Sequence, residues 1–294
     1  MAPTTPATPD SLVWFVTGSS RGLGRAVVEA VLAAGHRVTA TARTPARLDD
    51  LVERYGPDRI RAVPLDVADG AAARTAVAEA AEAFGRLDAV VNNAGYGDVA
   101  AIEDVSDEAF RAQIDTNFYG VYHVTKAALP ILRAQGSGHV IQISSSGGRI
   151  TTPGLGAYQS AKWAVGGFSE VLAKEVRPLG INVTIVEPGG LRTDWAGSSM
   201  RIPPVSEPYR QTVGVHADLV RGMDGRQNGD PHKAAEVILQ LPGLAEPPLH
   251  LLLGSDAYRL VTEADRRRAA ADETWRSLSE SIDYESGAPV PQVH

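Results

Sequence analysis

The stretch "LVWFVTGSSRGLG", Leu12 to Gly24, decides how this chain is read. Its first five residues are apolar throughout, and all but Leu12 are of β-branched or aromatic type, as in a strand covered on both faces. Gly18, Gly22 and Gly24 follow, and an apolar pattern of helical period then runs from Leu23 to about Ala34. A glycine-rich turn between strand and helix lets backbone approach a pyrophosphate closely and presents amide groups at a helix N-terminus to negative charge. The spacing is GxxxGxG, not the commoner GxGxxG, yet the physical demand is the same. Such a turn also serves plain packing. Its position after the first strand of an alternating series favours nucleotide binding.

Outward from this turn the pattern repeats. "HRVTATA" (36–42), "IRAVPLDV" (60–67), "DAVVNNAG" (88–95), "HVIQISS" (139–145), "INVTIVEP" (181–188) and "LHLLLG" (249–254) read as six further strands. Helical stretches separate them, one opening at Ser106, where Ser-Asp-Glu supplies an N-cap and two acids for the first turn. The expected fold is α/β: a doubly wound, seven-stranded parallel sheet, Rossmann-like, with helices on both faces and its crevice at the carboxyl ends of the strands. No linker interrupts the series, so residues 11–283 are expected to form one domain, flanked by a disordered Pro/Thr tail (1–10) and a loose tail (284–294). Residues 190–230 are rich in Gly and Pro and carry Trp195, Met200, Tyr209 and Met223; a loop of this length is expected to be a substrate-binding lid.

Composition removes several classes of function. Of 294 residues, 44% are hydrophobic and 21% charged, with a mean hydropathy of −0.11. Lys and Arg total 28 against 35 Asp and Glu, giving −7, with no basic stripe to track a phosphate backbone, so no nucleic-acid partner is expected. Cysteine is absent, which excludes disulfides, thiolate metal sites and cysteine nucleophiles. The seven His show no HxxxH or HxH pairing, and no metal site is expected. The opening "MAPTTPATPDS" lacks a basic start and an apolar core, so it does not read as a secretory signal. No apolar run approaches the ~20 residues of a membrane helix. The expected compartment is the cytoplasm, without membrane association.

The second strand bears on the choice of nucleotide. A protein holding the free ribose hydroxyl of NAD offers Asp or Glu about 20 residues after the glycines. Here the place reads Ala42-Arg43, and Arg21 stands inside the glycine turn. Two guanidiniums suit a 2′-phosphate, so NADP(H) is expected in preference to NAD(H). In "AYQSAKW" (157–163), Tyr158 and Lys162 lie four residues apart and leave a helix on one face. Alone, that pair is an ordinary solvated face.

Together these motifs resemble the short-chain dehydrogenase/reductase superfamily, in its compact single-domain branch, from about Leu12 to Gly254. "TGSSRGLG" resembles the family's TGxxxGxG turn, "LDV" at 65–67 its adenine-side segment, "NNAG" at 92–95 its fourth-strand signature, "YQSAK" its YxxxK motif and "PGGLRT" at 188–193 its PGxxxT segment. The resemblance implies cofactor contacts from Gly18, Ser20, Arg21, Gly22, Leu23 and Gly24 in the turn, and from Arg43, Asp66 and Val67 on the adenine side. It adds Asn93, Ala94 and Gly95, the pair Tyr158 and Lys162, and Pro188, Gly189, Leu191 and Thr193 beside the nicotinamide. It further implies a catalytic Ser thirteen positions before the Tyr, which is Ser145; strand pleating is expected to point Ser144 and Ser146 elsewhere. Asn117, in "TNFYG", would sit at a helix kink and support a water, although on the sequence alone it reads equally as structural.

The implied chemistry is interconversion of a ketone and a secondary alcohol, working as a carbonyl reductase. Tyr158 is the general acid, its pKa lowered from near 10 by Lys162. Ser145 holds the oxygen, and Lys162 also grips the nicotinamide ribose. The alternatives are an NAD-dependent alcohol dehydrogenase of the same family and a catalytically silent nucleotide-binding sensor, although Ser, Tyr and Lys are all present. A serine hydrolase is set aside: the GxSxG pattern occurs in this chain only as Gly18-Ser19-Ser20-Arg21-Gly22, inside the glycine turn itself. Trp195, Met200, Pro203, Pro204 and Tyr209 suggest an apolar, medium-sized or bulky substrate. Family members often pair through helices here spanning roughly 106–135 and 156–177, so a homodimer or homotetramer is expected.

Overall fold

The short apolar runs become seven strands: β1 (Val13–Val16), β2 (Arg37–Ala42), β3 (Ile60–Pro64), β4 (Ala89–Asn92), β5 (Gly138–Ile143), β6 (Ile181–Pro188) and β7 (His250–Leu253). The structure is a computed structural model that describes residues 11–195, 197 and 199–284. The two expected tails lie outside the described residues, apart from Tyr284. Every pairing is parallel and the strand order is β3-β2-β1-β4-β5-β6-β7. The winding reverses between β1 and β4, the point at which a doubly wound sheet opens a crevice.

The pleat sends alternate side chains to two separate cores. Trp14, Val16, Val91 and Ile141 meet helices α1 (Gly22–Ala33), α2 (Asp49–Tyr55) and α8 (Pro231–Gln240) on one face. Phe15, Val90 and Val140 meet α3 (Gly70–Phe84), α5 (Gly120–Gln135) and α6 (Gly156–Val176) on the other. Both faces of the central strands are therefore apolar, which is why these runs are hydrophobic without alternation. One polar knot interrupts the core. Asn92 and Gln142 are register partners on β4 and β5, the Asn92 amide donating to Gln142 Oε1 at 2.8 Å and to Thr125 Oγ1 at 3.0 Å.

Helix starts follow their caps. Ser106 Oγ accepts from Ala109 N at 3.2 Å to open α4 (Asp107–Ile114), and Asp230 Oδ1 accepts from His232 N at 2.8 Å ahead of Pro231 to open α8. Between α4 and α5 the chain runs through a π-helical turn, Asp115–Tyr119. Residues 190–230 are not a plain loop: they hold a π turn, Arg210–Gly214, and helix α7 (Val215–Met223), which buries Val213 and Ala217 with Val99, Leu155 and Met200. Gly214, Gly222 and the neighbouring prolines hide that helical period in the sequence. Helix α9 (Ser255–Glu280) closes the described chain, anchored by Ala257 and Val261. Among the described residues no helix is long and apolar enough to cross a membrane.

Candidate active site

At the carboxyl ends of the strands, the glycine turn, the ends of β4 and β5, the loop after β6 and α7 enclose a cavity of about 1030 Å³. The turn is shaped by its glycines. Gly18 and Gly22 have φ of +66° and +57°, which only glycine adopts without strain. Any Cβ at Gly18 would lie 2.8 Å from Ala94 Cα. Gly24 does not reach the cavity; a Cβ there would meet Gly18 O at 2.3 Å, so its role is to let α1 pass under the turn. Arg21, the residue before α1, makes no side-chain cap, so the first-turn amides have no side-chain partner from it. The remaining turn residues expected to touch a cofactor, Ser20, Arg21, Gly22 and Leu23, line the cavity.

Beyond β2 and β3, Arg43, Asp66 and Val67 line the same cavity. Arg21 and Arg43 are exposed, and among the described residues neither takes part in an ion pair. Arg25, one turn away, is committed to Glu29 at 2.8 Å and to Asp50. The "NNAG" segment both lines and braces. Asn93 Nδ2 donates to Thr17 O at 2.9 Å, and Thr17 Oγ1 accepts from Asn93 N at 2.9 Å and Ala94 N at 3.0 Å, tying the end of β4 to the glycine turn. Pro188, Gly189, Leu191 and Thr193 line the opposite wall. Their turn is held from α9, where Asp256 Oδ2 accepts from Gly190 N at 2.8 Å.

Helix α6 places Tyr158 and Lys162 on its buried face, 7% and 3% exposed respectively. Both line the cavity with Ser145, and Lys162 Nζ lies 5.7 Å from the centre of the Tyr158 ring. The ammonium donates to Ile143 O at 2.7 Å. Burial dominates both titrations. It pushes the Tyr158 phenol up to about 12, opposed by a hydrogen bond with the Ser145 hydroxyl, and it brings Lys162 down to about 8. This reverses the expected lowering of the phenol by the amine, because desolvation disfavours the charged form of each group.

All three serines lie beyond Ile143, the last residue of β5, so strand pleating does not sort the triplet. Its Oγ accepts from Gly147 N at 3.0 Å as the cap of a 3₁₀ turn, Ser146–Gly148. Ser144 and Ser146 reach the cavity wall as well, with Ser144 Oγ donating to Lys162 O at 3.4 Å. Asn117 is fully buried in the π turn and lies outside the cavity wall. Its amide is spent on backbone: Nδ2 donates to Tyr96 O and Gln113 O, each at 2.8 Å, and Oδ1 accepts from Tyr96 N at 3.1 Å. Gly95 packs bare backbone against it, since a Cβ there would fall 2.5 Å from Asn117 Oδ1 and 3.6 Å from Lys162 Nζ.

Of the apolar residues expected to shape a substrate pocket, Trp195 lines the cavity and tilts against Tyr158, with ring centres 5.2 Å apart. Met200 and Tyr209 instead pack in the cluster under α7, and Pro203 and Pro204 are exposed. Gly97, which the motifs did not single out, fits between the two rings; a Cβ there would meet Trp195 at 3.0 Å and Tyr158 at 3.2 Å. His216 and Gln227, also on the cavity wall, carry no motif that sequence reading could have found. The 190–230 segment is tied to the loop after β4 by Arg201, whose guanidinium donates to buried Asp98 Oδ2 at 2.8 and 3.1 Å.

A doubly wound sheet with a glycine turn at its switch point and a Ser-Tyr-Lys group on the same cavity defines a nucleotide-dependent oxidoreductase, and this chain belongs to the short-chain dehydrogenase/reductase family. The family's short chain dehydrogenase model matches residues 12–201. Oxidoreductase BOA17 of Botryotinia fuckeliana is 54% identical over 91% of this chain and 97% of its own length. The 3-ketodihydrosphingosine reductase of Bacteroides thetaiotaomicron is 32% identical over 82% of this chain and 87% of its own. A short-chain dehydrogenase from Streptomyces avermitilis superposes with a TM-score of 0.87 at 40% identity, covering 93% of this chain and all of that one. Solved neighbours of this fold hold NAD or NADP.

Proposed function

We propose that this protein is an NADP(H)-dependent carbonyl reductase interconverting a ketone and a secondary alcohol, with Tyr158 as general acid. The observation that carries the reading is one cavity walled at one end by the glycine turn and at the other by Tyr158, Lys162 and Ser145. The uncapped first-turn amides of α1 and the bare backbone at Gly18 suit a pyrophosphate. Asp66 and Val67 would flank the adenine, and Pro188, Gly189, Leu191 and Thr193 the nicotinamide, which supplies the hydride when bound. Arg21 and Arg43, exposed and without ion-pair partners among the described residues, suit a 2′-phosphate.

Tyr158 gives its proton to the carbonyl oxygen while Ser145 holds that oxygen by a hydrogen bond. A phenol pushed up to about 12 by burial carries its proton at neutral pH and so has one to give to a carbonyl oxygen. Lys162 sits beside the ring, where its charge favours proton release and its ammonium can reach ribose hydroxyls. Asn117 acts by positioning: its amide fixes the Gly95–Tyr96 backbone against which Lys162 packs. The reductase name of the Bacteroides relative agrees with the reductive direction.

The test is to mix the protein with NADPH and a panel of ketones and to follow cofactor absorbance. Tyr158→Phe should keep NADPH affinity and lose ~10²–10⁴-fold in turnover. Near-normal turnover by that variant would remove Tyr158 from its role. Equal catalytic efficiency with NADH and NADPH would overturn the nucleotide preference.

A further inference from the structure

A charge held away from water needs partners, and a carboxylate deep in a fold asks what it holds. Glu187 is the one charged residue of β6 and is 2% exposed. It lies outside the cavity wall, one position before Pro188, so any part it takes in the chemistry is indirect. Two cationic side chains flank it. Arg149 Nη1 lies 3.4 Å from Glu187 Oε2, and His250 Nδ1 lies 3.3 Å from Oε1. His250 stands on β7 as the register partner of Ile185, diagonal to Glu187. Its Nε2 lies 3.3 Å from Glu170 Oε1 on α6. Glu187 above all holds this imidazole above the ordinary histidine range, against the burial that lowers it.

Arg149 is the link to the active site. It ends the 3₁₀ turn that begins at Ser145: Gly148 N donates to Ser145 O, and Arg149 N to Ser146 O, each at 2.9 Å. The same guanidinium pairs with Asp265 of α9. Asp265 is partly exposed, which weakens an ion pair, whereas Glu187 is shielded from water. We propose that Glu187 is a positioning residue: through Arg149 it fixes the turn that presents Ser145 to the carbonyl oxygen. It does so from the position next to Pro188 and Gly189, so one carboxylate joins the turn that holds the oxygen to the turn assigned above to the nicotinamide. The inference rests on Ser145 being the group that holds that oxygen.

The experiment uses NADPH and a ketone that the wild type reduces. Glu187→Gln and Arg149→Met should each lower kcat about tenfold, a fraction of the 10²–10³-fold that loss of a whole oxyanion donor costs, with the KM for NADPH within about twofold. Joined to Ser145→Ala, either change should cost less than about twofold more, because the group being positioned is gone. A full further tenfold loss in the double variants, or an unchanged kcat in the single ones, overturns the proposal and leaves the redox reading intact. If Glu187→Gln does not fold, Arg149→Met is set against Asp265→Asn. A loss confined to Arg149→Met supports Glu187; the same loss in both assigns the hold to α9 and rejects it. If the wild type reduces no ketone, the redox reading falls, and the hold on the turn is judged by hydrogen exchange. The amides of residues 147–150 should then exchange at least about threefold faster in Arg149→Met than in the wild type, with those of β1 unchanged. Equal rates reject it.

Discussion

At Tyr158 and Lys162 the residue types were legible in the sequence, and the energetics were not. A four-residue spacing tells that two side chains share a helix face, but only the packed fold tells that the face is dry. Both groups are held toward their neutral forms, Lys162 at about 8 against 10.5 and Tyr158 at about 12 against 10.0. Between about pH 8 and 10 the unfolded chain keeps a proton on the lysine that the folded chain has released, so this site makes stability rise with pH. From about 10 to 12 the folded chain keeps a phenolic proton that the unfolded chain has lost, and stability falls again. Lys162→Met should remove the rise, a difference of about 1–3 kcal/mol between about pH 7.5 and pH 9.5 relative to wild type, measured by urea unfolding. An unchanged pH slope in that variant would mean that the lysine is not desolvated. Asn117 gives the complementary lesson. Its partner is the backbone of Tyr96, a contact made only when the π turn and the loop after β4 meet, and no local pattern announces it.

At the scale of elements, the seven strands could be read because each is a short, largely apolar run between helical stretches or turn residues. The readable boundaries failed where chemistry took over: β3 stops at Pro64 before Asp66, and β5 at Ile143 before the serines. Helix α7 was missed because glycines break its period, and α8 although Asp230-Pro231 is a recognisable start. The brace from α9 to the loop after β6 was invisible for a different reason, since Asp256 and Gly190 are 66 positions apart. That brace supports a specific expectation. Asp256→Ala frees the Gly190 amide and opens space beside Gly189, whose absent Cβ would lie 2.3 Å from Asp256 Oδ1. Cofactor KM should rise several-fold with little change in kcat, and stability should fall by about 1 kcal/mol. A fall in kcat with KM unchanged would show instead that the brace serves the chemical step.

For the whole molecule, the fold class and the placing of a crevice at the strand ends follow from order alone, whereas the covering of that crevice depends on long-range clips such as Asp98 with Arg201. The far end of the chain contributes unequally. Arg149 pairs with Glu187 and with Asp265, and Arg268 donates to Arg149 O at 2.8 Å, but every described residue from Arg266 onward is exposed. Removing residues 270–294 should therefore shift Tm by less than about 3 °C and leave kcat/KM within about twofold. Loss of soluble protein on that truncation would show that the distal helix supports the fold. The buried amide pair of Asn92 and Gln142 has a consequence for how the sheet comes to be built. Parallel neighbours must find each other without a hairpin to align them, and a slip by one residue would strand two carboxamides among hydrocarbon. The pair therefore pins the register of β4 against β5 at the centre of the sheet.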